Sequence, residues 1–135
     1  MMHLQGLDHV NVRCDAAQLP AMVAFWSDVL GLRNGARPAF DFPGAWLYLG
    51  EQPVVHLSGR NPVAKGAGER ASPVDHVAFN ARDIVATRDR LRRANVAWQE
   101  QTVPGGQRAQ IFLTDPAGTR VELLFDLACE AQSSS

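Results

Sequence analysis

The tripeptide Asp-His-Val occurs twice in this chain, at residues 8–10 and 75–77. Imidazole binds first-row metals and exchanges protons near neutral pH, so a histidine that recurs with its neighbours invites a search for partners. His56 follows His9 by 47 residues, and Glu122 follows His76 by 46. Both lie in β-rich runs, Pro53-Val54-Val55-His56-Leu57 and Arg120-Val121-Glu122-Leu123. If a pseudo-two-fold axis relates the halves, His9 meets His76 there, and His56 meets Glu122. Three imidazoles and a carboxylate about one point make a site for a divalent transition metal, Fe, Ni, Co, Zn or Mn. His9, His76 and Glu122 alone make a two-histidine, one-carboxylate set whose open positions suit a bidentate substrate or dioxygen. His56 could complete a four-ligand set or act as a base. A lone strand histidine is ordinarily a hydrogen-bonded structural residue. A lone glutamate between apolar neighbours ordinarily faces water or pairs with an arginine such as Arg120. It is the joint placement at repeat-related positions that favours a metal centre. His3 precedes the first strand and is incidental.

Each half must then supply elements that bring its two polar residues together. The first strand, around 7–12, is followed by Leu19, Met22, Val23, Trp26, Val29 and Leu30 at helical spacing, with Asp15 as N-terminal cap and Gly31 as the stop. The strand at 74–79 is followed by a helix from Asp83 to Ala94, with Ile84, Leu91 and Ala94 inward and Asn95 in the left-handed stop position. Arg88, Asp89, Arg90, Arg92 and Arg93 form its outer face, which reads as a solvated charged surface. Further strands are expected at Trp46–Leu49, Val54–Ser58, Gln110–Thr114 and Arg120–Asp126, with weaker ones near Arg37–Phe42 and Ala97–Thr102. Turn-forming residues fill 50–53 and 115–118. Each half thus reads strand, helix, three strands, in modules at 5–59 and 72–127 joined by a linker at 60–71. A disordered tail is expected at 131–135.

Side chains alternate across a strand. His9 shares a face with Asn11 and Arg13, His76 with Asn80, His56 with Ser58, and Glu122 with Arg120. Val55, Leu57, Val121, Leu123 and Phe125 point the opposite way, into a core packed by helices. Asn11, Arg13 and Asn80 are therefore candidate substrate contacts, with a strand-end salt bridge the competing role for Arg13. Trp46, Tyr48, Phe40, Phe42 and Phe112 could wall a cavity for an apolar or aromatic substrate, although each alone fits ordinary strand packing better. Arg37 and Trp98 are weaker candidates.

Composition narrows the class. The 135 residues are 46% apolar and 20% charged, enough for one domain with a real core. Thirteen Lys and Arg nearly balance fourteen Asp and Glu, which argues against a nucleic-acid or polybasic membrane binder. Apolar runs are too short to span a bilayer. The start shows no basic-then-apolar leader, and Cys14 and Cys129 make no disulfide framework, so a cytoplasmic protein is expected. The sole lysine, Lys65, sits in a glycine-rich stretch.

Four segments together resemble the vicinal oxygen chelate superfamily, the glyoxalase/bleomycin-resistance/dioxygenase group. They are Leu7-Asp8-His9-Val10, Phe25-Trp26-Ser27-Asp28-Val29-Leu30-Gly31-Leu32, Asp75-His76-Val77-Ala78-Phe79 and Asp115-Pro116-Ala117-Gly118-Thr119-Arg120-Val121-Glu122-Leu123. The resemblance, from about Gly6 to Asp126, implies an α+β fold of two βαβββ modules forming a curved mixed sheet around a metal. It implies His9, His76 and Glu122 as metal ligands, with His56 at a fourth position that varies among members. It also implies a small-molecule substrate with vicinal oxygens and a homodimer. A glyoxalase-like lyase or isomerase is the first expectation, Arg13 then matching an arginine that holds a substrate carboxylate. His56 stands where glutathione-dependent glyoxalases carry a carboxylate, so their two-carboxylate proton shuttle is not reproduced. An extradiol-type ferrous dioxygenase acting on a catechol-like molecule is the alternative, with His56 or Tyr48 assisting proton transfer. A non-catalytic binding or resistance protein is the third reading; such members lack the metal ligands.

Overall fold

A computed structural model describes residues 1–60 and 74–133, the last three by backbone alone. The chain divides into two compact units, Met1–Glu69 and Arg70–Ser135. The Lys65 stretch and the linker at 60–71, apart from Arg60, lie outside the described residues.

In the first unit β1 (Val10–Arg13) leads through a 3-10 turn into α1 (Leu19–Val23), which continues as a π-helical turn, Ala24–Val29. Then come β2 (Arg33–Gly35), β3 (Gly44–Leu49) and β4 (Gln52–Ser58). The sheet order is β1-β4-β3-β2, with β1 parallel to β4 and the remaining pairs antiparallel. The second unit repeats this plan. β5 (Val77–Ala81), α2 (Ile84–Arg93), β6 (Gln99–Thr102), β7 (Arg108–Thr114) and β8 (Arg120–Asp126) give the order β5-β8-β7-β6, again with the first and last strands parallel. α3 (Leu127–Ser133) follows β8. Parallel neighbours cannot be joined by a tight turn, so the helix after each first strand is what allows β1 to reach β4 and β5 to reach β8.

The cores follow period-two burial. Val55 and Leu57 on β4, Ala45 and Leu47 on β3, and Met22, Phe25 and Trp26 from the helical segment are buried in the first unit. The π turn accounts for Phe25, which helical spacing left out. With Leu30 N–H bonded to the Phe25 carbonyl at 3.0 Å, five residues back, the widened turn buries two consecutive large rings, which meet edge to face. Gly31, at φ +85°, ends the helix as expected, and Leu32 N–H reaches the Trp26 carbonyl at 3.0 Å. The capping arrangement is also as expected at Asp15, whose backbone N–H donates to Gln18 Oε1.

In the second unit Ile111, Leu113, Val121, Leu123 and Phe125 join Ile84 and Leu91 in the core. Asp83 caps α2 through its carboxylate, which accepts from Ala86 N–H, and Asn95 adopts the left-handed stop at φ +56°. Ala94 was expected inward but is exposed; Val96, beyond the stop, is half-buried. The outer face of α2 is solvated and paired: Arg93 to Asp89 at 2.6 Å and Arg88 to Glu100 at 2.9 Å.

Three expectations are corrected. Arg37–Phe42 is a loop, and the strand lies earlier, at Arg33–Gly35; Pro38 and Pro43 bracket the stretch and remove ladder donors. β1 and β5 begin at Val10 and Val77, so His9 and His76 stand just before their strands. Residues 131–133, expected in a disordered tail, belong to α3. No described helix is long and apolar enough to cross a membrane.

Two stability predictions follow from polar groups fixed by this fold. Asp115 is buried and accepts N–H bonds from Ala117 at 2.9 Å and Thr119 at 2.7 Å, closing the β7–β8 turn. Asp115→Ala should cost about 2 kcal/mol in urea unfolding, because those amides lose their acceptor. Glu100 accepts from Arg88 and from Trp98 Nε1, and these hold its carboxyl below the ordinary value. A lowered folded pKa stabilises above the unfolded value and loses that contribution as pH falls through the folded one. Glu100→Gln should therefore cost about 1 kcal/mol or less at pH 7 and flatten the fall in stability as pH drops through and below the ordinary carboxylate range, as read by unfolding at each pH.

Candidate metal centre

The parallel registers set the geometry. Asn11 lies opposite His56 on β1–β4, and Ala78 opposite Glu122 on β5–β8. His9 and His76 are each two residues before those positions. Alternation therefore puts His9 and His56 on one face, diagonally placed, and His76 and Glu122 on one face in the equivalent relation. The 47- and 46-residue spacings serve this stagger.

In the first unit the His9 and His56 rings stack, centroids 3.8 Å apart and planes 11° apart. Trp46, directly opposite His56 on β3, stacks on the other side at 4.0 Å. In the second unit His76 Nε2 is 3.3 Å from Glu122 Oε1, and Phe112, opposite Glu122 on β7, meets the His76 ring edge to face at 6.1 Å. Trp46 and Phe112 thus occupy equivalent strand positions in the two repeats. Among the described residues, no group of three or more His, Cys, Asp or Glu gathers to hold a metal; the donors occur as pairs, His9 with His56 and His76 with Glu122.

All three histidines have Nδ1 engaged. Asp8 Oδ2 takes His9 Nδ1 at 2.7 Å, and Asp75 Oδ2 takes His76 Nδ1 at 2.8 Å. His56 hydrogen-bonds the Pro53 backbone. Proline has no N–H, so the ring must donate to the carbonyl. Among the described residues His56 Nε2 is buried with no hydrogen-bond partner, so the donor is Nδ1 and Nε2 bears a lone pair. Burial, and then the His9 ring, lower the His56 pKa, which favours that neutral form. Carboxylate–histidine pairing of this kind fixes the tautomer of a metal-ligating ring and raises its basicity. Asp8 and Asp75 are functional residues that the histidine spacing does not single out; an acid fixed one residue before each histidine is the signal in the sequence. The Pro53 carbonyl leaves no side-chain trace and could not be found that way.

These residues fit a divalent ion. An orphaned, buried imidazole nitrogen loses its water without replacement, at about 1–3 kcal/mol, and a metal would satisfy it. With bonds of about 2.1 Å, donors adjacent on a metal are about 3.0 Å apart in octahedral and about 3.4 Å in tetrahedral geometry, which brackets the His76–Glu122 separation of 3.3 Å. Glu122 is buried, whereas the His9 and His76 side chains are 38% and 36% exposed, so the pairs remain reachable.

The other candidates separate. Asn11 accepts from Ser58 Oγ at 3.0 Å, on the His56 face. Arg13 and Asn80 are exposed on β1 and β5. Tyr48 is committed locally: its hydroxyl donates to the Ala36 carbonyl at 2.6 Å, and Arg33 covers its ring at 4.6 Å. Trp98 donates to Glu100, away from the histidines in sequence and in sheet position. Arg120 bridges Asp75 at 2.9 Å and covers Phe112, so it braces the acid that orients His76.

Residues 6–123 match the Glyoxalase/Bleomycin resistance protein/Dioxygenase superfamily, and the chain belongs to it. Solved structures agree in fold. A glyoxalase family protein from Bacillus anthracis is 22% identical, with a TM-score of 0.74 over 93% of this chain and 98% of that one. Lactoylglutathione lyase from Agrobacterium tumefaciens is 21% identical, with a TM-score of 0.66 over 90% and 94%. A glyoxylase/bleomycin resistance protein/dioxygenase domain from Frankia sp. EAN1pec is 18% identical, with a TM-score of 0.71 over 92% and 99%. No curated protein matches the chain in sequence.

The aspartates' role is measurable without metal. In chelator-treated protein, long-range 1H–15N NMR should show His9 and His76 protonated at Nδ1. Asp75→Ala should shift His76 toward the Nε2-protonated form and leave His9 unchanged, and Asp8→Ala should do the converse. An unmoved His76 tautomer in Asp75→Ala would remove the orienting role.

Proposed function

We propose that the protein is a divalent-metal-dependent enzyme that acts as a lyase or isomerase on a small substrate with vicinal oxygens. His9, His56, His76 and Glu122 supply the donors. The observation that supports this reading is that all three rings have Nδ1 engaged, while His56 Nε2 is buried with no partner among the described residues and His76 Nε2 faces Glu122 Oε1 at 3.3 Å. The superfamily includes metal-dependent enzymes, and lactoylglutathione lyase is among the structural neighbours.

When bound, the ion would act as a Lewis acid toward two adjacent substrate oxygens. The chain's own residues do the rest. His56, neutral and desolvated, offers Nε2 to a proton as base or to the ion as ligand. Glu122, buried beside His76, is the other group able to take and return a proton. Asp8 and Asp75 keep their rings turned. Arg13, exposed at the end of β1, is available to a substrate carboxylate.

A second reading has a specific support. Trp46 stacks on His56 at 4.0 Å and the exposed Phe40 lies 6.4 Å from the indole; aromatic surroundings beside the donors suit a planar ring, so oxygen-dependent cleavage of a catechol-like substrate with ferrous iron is the alternative. Oxygen uptake by iron-loaded protein with catechols selects it; its absence, with turnover of a vicinal-oxygen substrate under nitrogen, selects the first.

Reconstituted protein should hold about one transition metal ion per four-donor set by elemental analysis. His76→Ala and Glu122→Gln should lower occupancy severely, and Asp75→Ala should weaken affinity by roughly 10–100-fold. Unchanged occupancy in His76→Ala contradicts the ligand assignment. Failure of the wild type to retain any such metal points to a binding or resistance protein instead.

A further inference from the structure

The stack His9–His56–Trp46 does not stop at the indole. Phe40 lies 6.4 Å from Trp46, and Phe42 stacks on Phe40 at 5.2 Å. Two guanidiniums close this run. Arg37 Cζ is 4.9 Å from the Phe40 ring and 5.0 Å from Phe42, and Arg60 Cζ is 3.6 Å from Phe42.

The guanidiniums are held in place. Arg37 Nη2 donates to the Phe42 carbonyl at 2.9 Å. A Cβ at Gly44 would meet the Leu57 carbonyl first and the same Nη2 at 2.8 Å, so the glycine leaves room for the guanidinium. Gly59 N–H bonds the Pro43 carbonyl at 2.7 Å, which brings Arg60 beside the loop. Among the described residues, charge is not balanced there by any ion pair. Arg88, Arg93 and Arg120 each have a carboxylate partner. Among the described residues, no ion pair involves Arg37 or Arg60, although Asp41 lies within the same loop. Two like charges share one aromatic ring, and Phe40 beside them is 46% exposed. Cation–π contact offsets only part of that repulsion. An anion received by the unused N–H donors would offset the rest, and a ring laid on Phe40 and Trp46 would bury apolar area.

We infer that Arg37 and Arg60, seated on Phe40 and Phe42, form an anion-binding end to the aromatic face that starts at His56 and Trp46, and that the ligand is a flat aromatic molecule bearing a carboxylate. Only the placement of that ring beside the metal donors rests on the function proposed above; the anion end needs no metal.

The test uses chelator-treated full-length protein, 2-naphthoate and its neutral isostere 2-naphthamide, followed by tryptophan fluorescence and NMR chemical shifts. Naphthoate should bind more tightly than the amide by roughly tenfold or more. Arg60→Gln and Arg37→Gln should each remove most of that preference with little change for the amide, Arg37→Lys should restore part of it, and Phe40→Ala should weaken both ligands. Arg60 is exposed, so its variant tests the idea even if Arg37→Gln disturbs the loop. Equal affinity for acid and amide, or a preference unmoved by both arginine variants, overturns the inference. Metal retention is measured in parallel. A carboxylate preference without metal retention sinks the metal reading alone, and the converse sinks this one alone.

Discussion

Pairing the first strand of each module in parallel with its last is the constraint from which the candidate centre follows. It places His9 diagonal to His56 and His76 diagonal to Glu122. A one-residue slip in either ladder would turn the whole strand over and send its polar residue into the core. The apolar neighbours forbid that slip. Val55, Leu57, Val121 and Phe125 are essentially inaccessible to water, so the hydrophobic effect holds the register that the chemistry uses.

The buried polar groups fall into two kinds. Ser58 donates to Asn11, and Asp115 accepts two turn amides; both are satisfied inside the fold. His56 keeps Nε2 without a partner, and Glu122 keeps a carboxylate against an imidazole nitrogen. Buried polar atoms are ordinarily paired because desolvation is otherwise uncompensated. Among the described residues His56 Nε2 is the exception, whereas Glu122, at the repeat-equivalent position, has His76 as its partner.

Much of the fold was legible because its signals are local. β8 has the bounds that alternation predicted, the turns sit at their glycine and proline residues, and α2 starts and stops at its Asp and Asn. The failures have tertiary causes. The π turn exists because Phe25 and Trp26 are both buried, a demand that a 3.6-residue period cannot express. β2 moved to Arg33–Gly35 because its partner β3 and the flanking prolines, more than its own β propensity, decide where pairing is possible. The aromatic loop after β2 took its shape from an arginine folding back on Phe40 and Phe42.

By itself the sequence determined the duplication and the face that each strand residue occupies, since periodicity and spacing are properties of the chain. Tertiary structure decided which nitrogen of each ring is left to act. That depends on Asp8, Asp75 and the Pro53 carbonyl lying within hydrogen-bond reach of Nδ1, on Trp46 covering His56, and on desolvation. A tautomer is set by distances of under 3 Å between groups, and such distances exist only once the strands have paired.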